Sequence, residues 1–371
     1  MPLKKLHSII GIGMVIAGLQ TEAQPVATFT NKKSSDTLST PYNFQGYFNR
    51  LYQSALPKFS FTATSQKDFV AWKQAFLPAL KESLGLTKLE ESNKGFAMKA
   101  VLQEKGESGT FFYQKWFLWT EPGVPLPVVV LLPKNQKGKL PAVIATHGHG
   151  RDSILYDGIY PRIQRQDPLD TTLSLKAIEM GYIAIAPTMR AFGSTRFDDD
   201  KKAGNSFSCH TQLMRDLLVG RTVIGDRVWD VSKVLDWALK NLPVDEKKVA
   251  ITGNSGGGTV ALFAAACDDR IKVAVPSSYF NTFTGSIGSI AHCDCNYIPG
   301  ILNIGEMSDI AGLIAPRPLR MVHGVEDAIY PIAETRKAFA ALQEIYSVAG
   351  TPGNVELFEG PEGHKYYHEG S

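Results

Sequence analysis

About two thirds of the way along the chain the apolar run Val249-Ala250-Ile251 leads into Thr252-Gly253-Asn254-Ser255-Gly256-Gly257-Gly258, and Thr259 to Ala266 reads as a helix. A serine set as Gly-x-Ser-x-Gly between a strand and a helix sits on a sharp turn with its hydroxyl lifted clear of the sheet. Its neighbours two positions away must lack side chains, which would strike the strand or the helix. The helix that follows points the positive end of its dipole toward the place where an oxyanion would form. A phosphate cradle is the competing reading, and the missing Lys-Ser/Thr pair of a P-loop sets it aside. Ser255 is therefore the candidate nucleophile.

A serine hydroxyl needs a base, and on such a sheet the partners follow the nucleophile in the order acid, then histidine. Of eight histidines, only His364 and His368 lie beyond the last candidate acid. His364 follows the strand-like Val355 to Phe358 in a glycine-bearing loop and is preferred; His368 is expected in a terminal helix. For the acid, Leu319 to Val322 opens into His323-Gly324-Val325-Glu326-Asp327. Asp327 is the choice, with Glu326 the alternative at the same turn. A carboxylate there would hold the imidazole tautomer that leaves Nε2 free to take the serine proton. The oxyanion donors are expected to be the backbone N–H of Gly256 and, from His147-Gly148-His149-Gly150 after Ala142 to Thr146, that of His149, with Gly150 the alternative. No metal is expected at His147 and His149, since no cysteine or carboxylate pair accompanies them at ligand spacing.

The elements that must position these groups are legible as periodicity. Phe69, Trp72, Phe76, Leu77, Leu80 and Leu84 predict a helix over 65–85. Three strands are expected over 96–102, 110–120 and 127–132, with turns at Lys105-Gly106 and Pro122-Gly123. Short runs apolar on both faces then follow at 142–145, 182–186, 249–251, 273–275, 319–322 and 355–358. Helical stretches at 173–180, 212–241, 257–266 and 331–347 alternate with them. The predicted fold is α/β: a doubly wound, mostly parallel sheet, with a helical arm at 65–94 and antiparallel strands leading in. The catalytic domain is expected over 65–371, with a cap-like insertion at 277–316.

These motifs resemble those of the α/β-hydrolases. The chain is similar to the bacterial acetyl xylan esterase-like group, related to the dienelactone hydrolase and prolyl oligopeptidase branches. The resemblance rests on Pro141 to Gly150, Met189 to Gly193, Gly225 to Asp230, Gly253 to Gly258, Ala315 to Pro318 and the two late loops. It implies a triad of Ser255, Asp327 and His364.

At the N-terminus, Lys4 and Lys5 precede an apolar stretch from Leu6 to Leu19, and Thr21-Glu22-Ala23 places small residues before a cut. That pattern predicts an export signal over 1–23, too short for a membrane span, and a periplasmic or secreted product. Residues 24–64 are expected to be an exposed leader. The full chain of 371 residues has a formal charge of +3, too balanced for an electrostatic grip on nucleic acid or acidic lipid. Four cysteines (Cys209, Cys267, Cys293, Cys295) are too few for a disulfide scaffold. Cys293 or Cys295 paired with Cys209 or Cys267, or all of them as buried free thiols, is the reading placed ahead of zinc held by His292 and two thiols.

Arg190, on the same sheet edge, is read either as a clamp for a substrate carboxylate or as a loop brace. Trp229 is expected to pack, Asp230 to face solvent, and Asp198 to Asp200 to form a solvated loop in preference to a calcium site. Tyr279, Phe280 and Tyr297 are candidate sugar-stacking faces. The expected activity is hydrolysis of a carbohydrate ester, acetyl on xylan or methyl on a uronate such as pectin, through an acyl-enzyme. The expected partner is a polysaccharide or oligosaccharide ester, with no nucleic acid, no membrane and no cofactor. The competing classes are a peptidase of prolyl oligopeptidase type, whose propeller domain has no room here, and a non-catalytic binding protein, which an intact Ser, Asp and His argue against.

Overall fold

The computed structural model describes residues 43–109, 111–134, 137–149 and 172–371. The export signal expected over 1–23, the leader up to residue 42 and Gly150 lie outside them. The chain divides into two units, Met1–Gln45 and Gly46–Ser371, and the sheet belongs wholly to the second.

Three helices come first, α1 (Phe44–Ser54), α2 (Gln66–Ser83) and α3 (Leu86–Ser92). The α2 start is fixed by Ser65, whose side chain accepts the Asp68 N–H, and its buried stripe is Phe69, Phe76 and Leu80. The segment expected to be an exposed leader is docked over its last part: Lys58 and Phe59 donate backbone N–H groups to the Asn303 and Ile304 carbonyls, and Phe59 stacks on Phe76.

Strands β1 (Ala100–Ser108), β2 (Phe111–Glu121) and β3 (Val124–Pro133) form an antiparallel meander. There follow β4 (Leu140–Thr146), α4 (Thr172–Glu179), β5 (Ile183–Pro187), α5 (Asp198–Lys202), α6 (Cys209–Leu218) and α7 (Val223–Asn241). The chain continues through β6 (Val244–Asn254), α8 (Gly256–Cys267), β7 (Val273–Ser277), α9 (Met307–Gly312), β8 (Leu319–Gly324), α10 (Ile332–Val348) and β9 (Val355–Gly360). Among the described residues the nine strands form one sheet, ordered β1-β2-β3-β5-β4-β6-β7-β8-β9. β3 pairs antiparallel with β5, and from β5 through β9 every pairing is parallel. β5 is buried along its whole length, as a parallel strand covered on both faces must be. The α/β prediction therefore holds. Among the described residues no helix is long and apolar enough to cross a membrane.

Two elements depart from the periodicity. The first strand runs on to Ser108 because Gly106 is not a turn: the Tyr113 ring fills the place a Cβ would take, 2.7 Å away, so only glycine fits opposite it. The helix expected over 212–241 is two. Gly220, at φ 69°, ends the first arm, and Thr222 caps the second by accepting the Gly225 N–H.

Register brings the carboxyl ends of four strands to one edge. Thr146 of β4 lies opposite Gly253 of β6, and Gly324 of β8 opposite Gly360 of β9. His323 sits at that end of β8, fully buried, with neither ring nitrogen bonded among the described residues. Burial lowers its pKa to about 4. The folded protein thus holds fewer protons than the unfolded chain between about pH 4 and the ordinary histidine value near 6.5. Its contribution to stability is full above that window and is lost as the pH falls through it. Urea unfolding across the window should show a shallower loss for His323→Leu, by up to about 1.4 kcal/mol per pH unit. An unchanged slope would refute the assignment.

Candidate active site

Ser255 joins β6 to α8 at φ 55° and ψ −119°, a conformation that costs a non-glycine residue about 1–3 kcal/mol. The turn is pinned on both sides: the Ser255 N–H donates to the Ser277 carbonyl, and the Thr259 N–H donates to the Ser255 carbonyl, each at 2.9 Å. The flanking glycines answer to β4. A Cβ on Gly253 would lie 2.2 Å from the Thr146 hydroxyl, and one on Gly257 2.2 Å from the Thr146 carbonyl.

His364, in the loop after β9, places Nδ1 2.7 Å from Oδ2 of Asp327, in the loop after β8. The other Asp327 oxygen accepts the N–H groups of Ile329 and Tyr330, at 3.0 and 3.1 Å. Burial alone would raise this carboxyl, but the hydrogen bond and charge of His364 and the two amides outweigh it and hold Asp327 below the ordinary carboxylate value. The Tyr330 ring stacks on the His364 ring, 15° from parallel. Glu326, the alternative acid, is exposed, whereas Asp327 is buried. His368 lies in a short 3-10 turn and not in a terminal helix.

After β4 the loop is held by His147. This imidazole is buried, and burial lowers its pKa to about 4. In the neutral form Nδ1–H donates to the Gly148 carbonyl and Nε2 accepts the Met189 N–H, both at 2.9 Å. His149 then lies over the start of α8: its ring occupies the space a Cβ on Gly256 would need. The first N–H groups of α8 have no partner inside the helix. Ser255, His364 and His149 share a cavity of about 640 Å³ whose wall includes Asn254, Tyr330 and, from the insertion between β7 and β8, His292.

A model of the Abhydrolase family matches residues 24–367. The chain belongs to the Abhydrolase family. A Bacillus subtilis (strain 168) protein, YtaP, assigned provisionally as a hydrolase, is 28% identical over 244 residues, covering 64% of this chain and 77% of its own. Among solved structures, a Bacteroides fragilis protein provisionally assigned as an acetyl xylan esterase superposes with a TM-score of 0.70 at 20% identity, over 86% of this chain and 82% of its own. The methylesterase BT1017 gives 0.64 at 20% identity, over 87% and 64%. At those identities the likeness establishes the shared fold.

Within this Abhydrolase family chain, several expected side chains stand elsewhere. Of the two readings of Arg190, clamp or brace, its contacts are those of a brace. Its guanidinium grips Asp230 with two bonds of 2.7 and 2.6 Å and reaches Glu121 at 2.6 Å and Asp226 at 3.2 Å. It borders a different cavity from that of Ser255, together with Arg221, which bridges Glu121 and Asp226. Asp230, expected at the surface, is fully buried. Although burial would raise Glu121, the two arginines pull it down to about 2. Tyr279 and Phe280 are fully buried and cannot stack on a sugar, while Tyr297 is exposed. Asp198 and Asp199 are exposed at the start of α5. All four cysteines are free. Cys209, Cys293 and Cys295 nevertheless converge on His149, and His292 bonds Ser286 instead. No spacing in the sequence announces that cluster, because its members come from three separate segments.

If Arg190 braces the fold, Arg190→Gln should cost about 3–5 kcal/mol in urea unfolding, because it strands buried carboxylates. The KM of the folded fraction for a small neutral ester should hold within about twofold. A stable variant with a much raised KM would restore the clamp.

Proposed function

We propose that the protein is a serine carboxylic-ester hydrolase acting on esters of carbohydrates. The observation that carries this reading is the 2.7 Å bond between His364 Nδ1 and Asp327, on the wall of the cavity into which the strained Ser255 turn also opens. Asp327 fixes the tautomer, so that Nε2 of His364 is the basic nitrogen. Ser255 Oγ attacks the ester carbonyl as His364 takes its proton, and Asp327 stabilises the imidazolium. The N–H groups of Gly256 and His149 receive the developing oxyanion. Collapse of the tetrahedral intermediate expels the alcohol, which takes the proton from His364. Water, activated by the same histidine, then attacks the acyl-enzyme and regenerates Ser255.

The described wall of the cavity supports a polyol ester. Asn254, Asn296, His292 and Tyr330 offer amide, imidazole and phenol groups, and Asp294 is the one carboxylate there. With Arg190 withdrawn into the interior, the ionic argument for a uronate weakens and acetyl on a neutral sugar is favoured over methyl on a uronate. The relatives with esterase names fit either ester. The expected signal over 1–23 makes the enzyme periplasmic or secreted.

Wild type and variants should be compared on p-nitrophenyl acetate, acetylated xylan, methylated pectin and a proline peptide anilide. Ser255→Ala should lower kcat/KM by about 10⁶-fold and Asp327→Asn by about 10⁴-fold. Glu326→Gln, altering an exposed side chain, should stay within about twofold of wild type. Anilide cleavage without ester turnover, or ester turnover untouched in Ser255→Ala, would refute the assignment.

A further inference from the structure

Beside the cavity, His149, Cys209, Cys293 and Cys295 present one ligand atom each, all four within 4.8 Å of one another. They come from the loop after β4, the first residue of α6 and the insertion between β7 and β8. His149 Nε2 lies 3.2 Å from Cys295 Sγ, and Cys295 Sγ lies 3.5 Å from Cys293 Sγ. A tetrahedral zinc ion with Zn–S near 2.3 Å and Zn–N near 2.0 Å sets its donors about 3.5–3.8 Å apart. The two short pairs lie within about 0.3 Å of that spacing, and every other pair lies within 4.8 Å, so a modest adjustment would close the four donors on one ion.

A second observation is independent of those distances. Arg227 is buried against the Arg190 carbonyl at 2.9 Å, the Phe192 ring, and Cys209 Sγ at 3.3 Å. Among the described residues no carboxylate is paired with it. A guanidinium taken out of water needs an opposing charge close by. Three thiols supply none, whereas three thiolates and one imidazole around a divalent ion carry a net −1. The neighbouring α7 thus provides the counter-charge that such a centre requires.

We infer that His149, Cys209, Cys293 and Cys295 form a Cys₃His site for a structural zinc ion. Binding replaces three S–H bonds by three Zn–S bonds and releases three protons, and His149 adds the lone pair of Nε2. Four protein ligands close the coordination sphere, so the ion holds structure and does not activate water. It ties the loop carrying the His149 N–H to α6 and to the wall of the cavity.

The test uses the full chain purified under reducing conditions. Elemental analysis should find about one zinc per chain, and Cys267→Ser, a cysteine outside the cluster, should keep it. Cys293→Ser and Cys295→Ser should lose it. Cobalt exchanged into the wild type should show thiolate-to-cobalt charge transfer and the visible bands of a tetrahedral site, a readout that needs neither activity nor a folded variant. The proposal is overturned if the wild type, reduced and dialysed against excess zinc, retains less than a tenth of an equivalent. It is equally overturned if mass spectrometry of the native protein finds a disulfide joining two of the three cluster cysteines. Since neither metal content nor the cobalt spectrum depends on ester turnover, the esterase reading can fail without this one.

Discussion

The approach of β4 to the turn between β6 and α8 is the constraint on which the rest of the carboxyl edge depends. Thr146 stands so close to Gly253 and Gly257 that neither can carry a side chain. Its hydroxyl lies within hydrogen-bond reach of the Thr252 and Gly257 carbonyls, so the contact is polar as well as tight. Closeness at this one point has two effects. It lets α8 begin immediately after Ser255, which forces the serine into its strained backbone state. It also delivers the His147 to His149 loop beside the open N–H groups of α8. In the proposed mechanism a looser contact would separate the two N–H groups assigned to the oxyanion, and preorganised donors are where such sites gain most.

Buried charge holds the second layer in place. Helix α7 carries Asp226 and Asp230, which grip Arg190, and Arg227, which donates to the Arg190 carbonyl. Arg190, just beyond β5, is thereby fixed by its side chain and its backbone from the same helix. Two positions on, Phe192 packs edge-on against both His147 and His149. Rigidity thus passes from α7 through an internal ion cluster and one aromatic ring to the loop at the serine. Breaking a partner in such a cluster costs more than forming it gained, because the remaining charges cannot reach water.

Legibility in the sequence depends on the range over which each signal acts. The Ser255 turn, the Asp327 and His364 loops and the parallel strands are written in contiguous residues, so short-range spacing exposes them. The stretch from 212 to 241 reads as one helix because its break depends on a single glycine and a cap at Thr222, both weaker than the apolar pattern running across them. Arg190 is ambiguous for a different reason. Its partners sit on β2 and α7, and nothing local distinguishes an arginine that faces a substrate from one that faces Glu121. Tyr279 and Phe280 show the same limit: an aromatic pair in an insertion reads as surface until its burial, for Tyr279 against Phe263 and Tyr330, is known.

Short-range order is weakest in the insertion between β7 and β8, which contributes more of the described cavity wall than any other single segment. It has little regular structure, yet one of its turns must stand opposite Ser255 to close the cavity. Hydrogen bonds supply part of the hold: Thr259 on α8 donates to the Asn296 side chain, and Asn296 in turn donates to the Cys293 carbonyl. Those bonds anchor the insertion to the helix behind the serine, while the β4 loop is held by His147 against Met189, and α6 meets the insertion through His210 and Asp294 at 3.0 Å. Convergence of His149, Cys209, Cys293 and Cys295 falls at the junction of these three segments. A loop that must present a backbone donor with sub-ångström accuracy needs support from more than one direction. The cluster takes in the His149 side chain itself, so in the proposed mechanism it is where such support has the greatest leverage on the backbone donor of that residue.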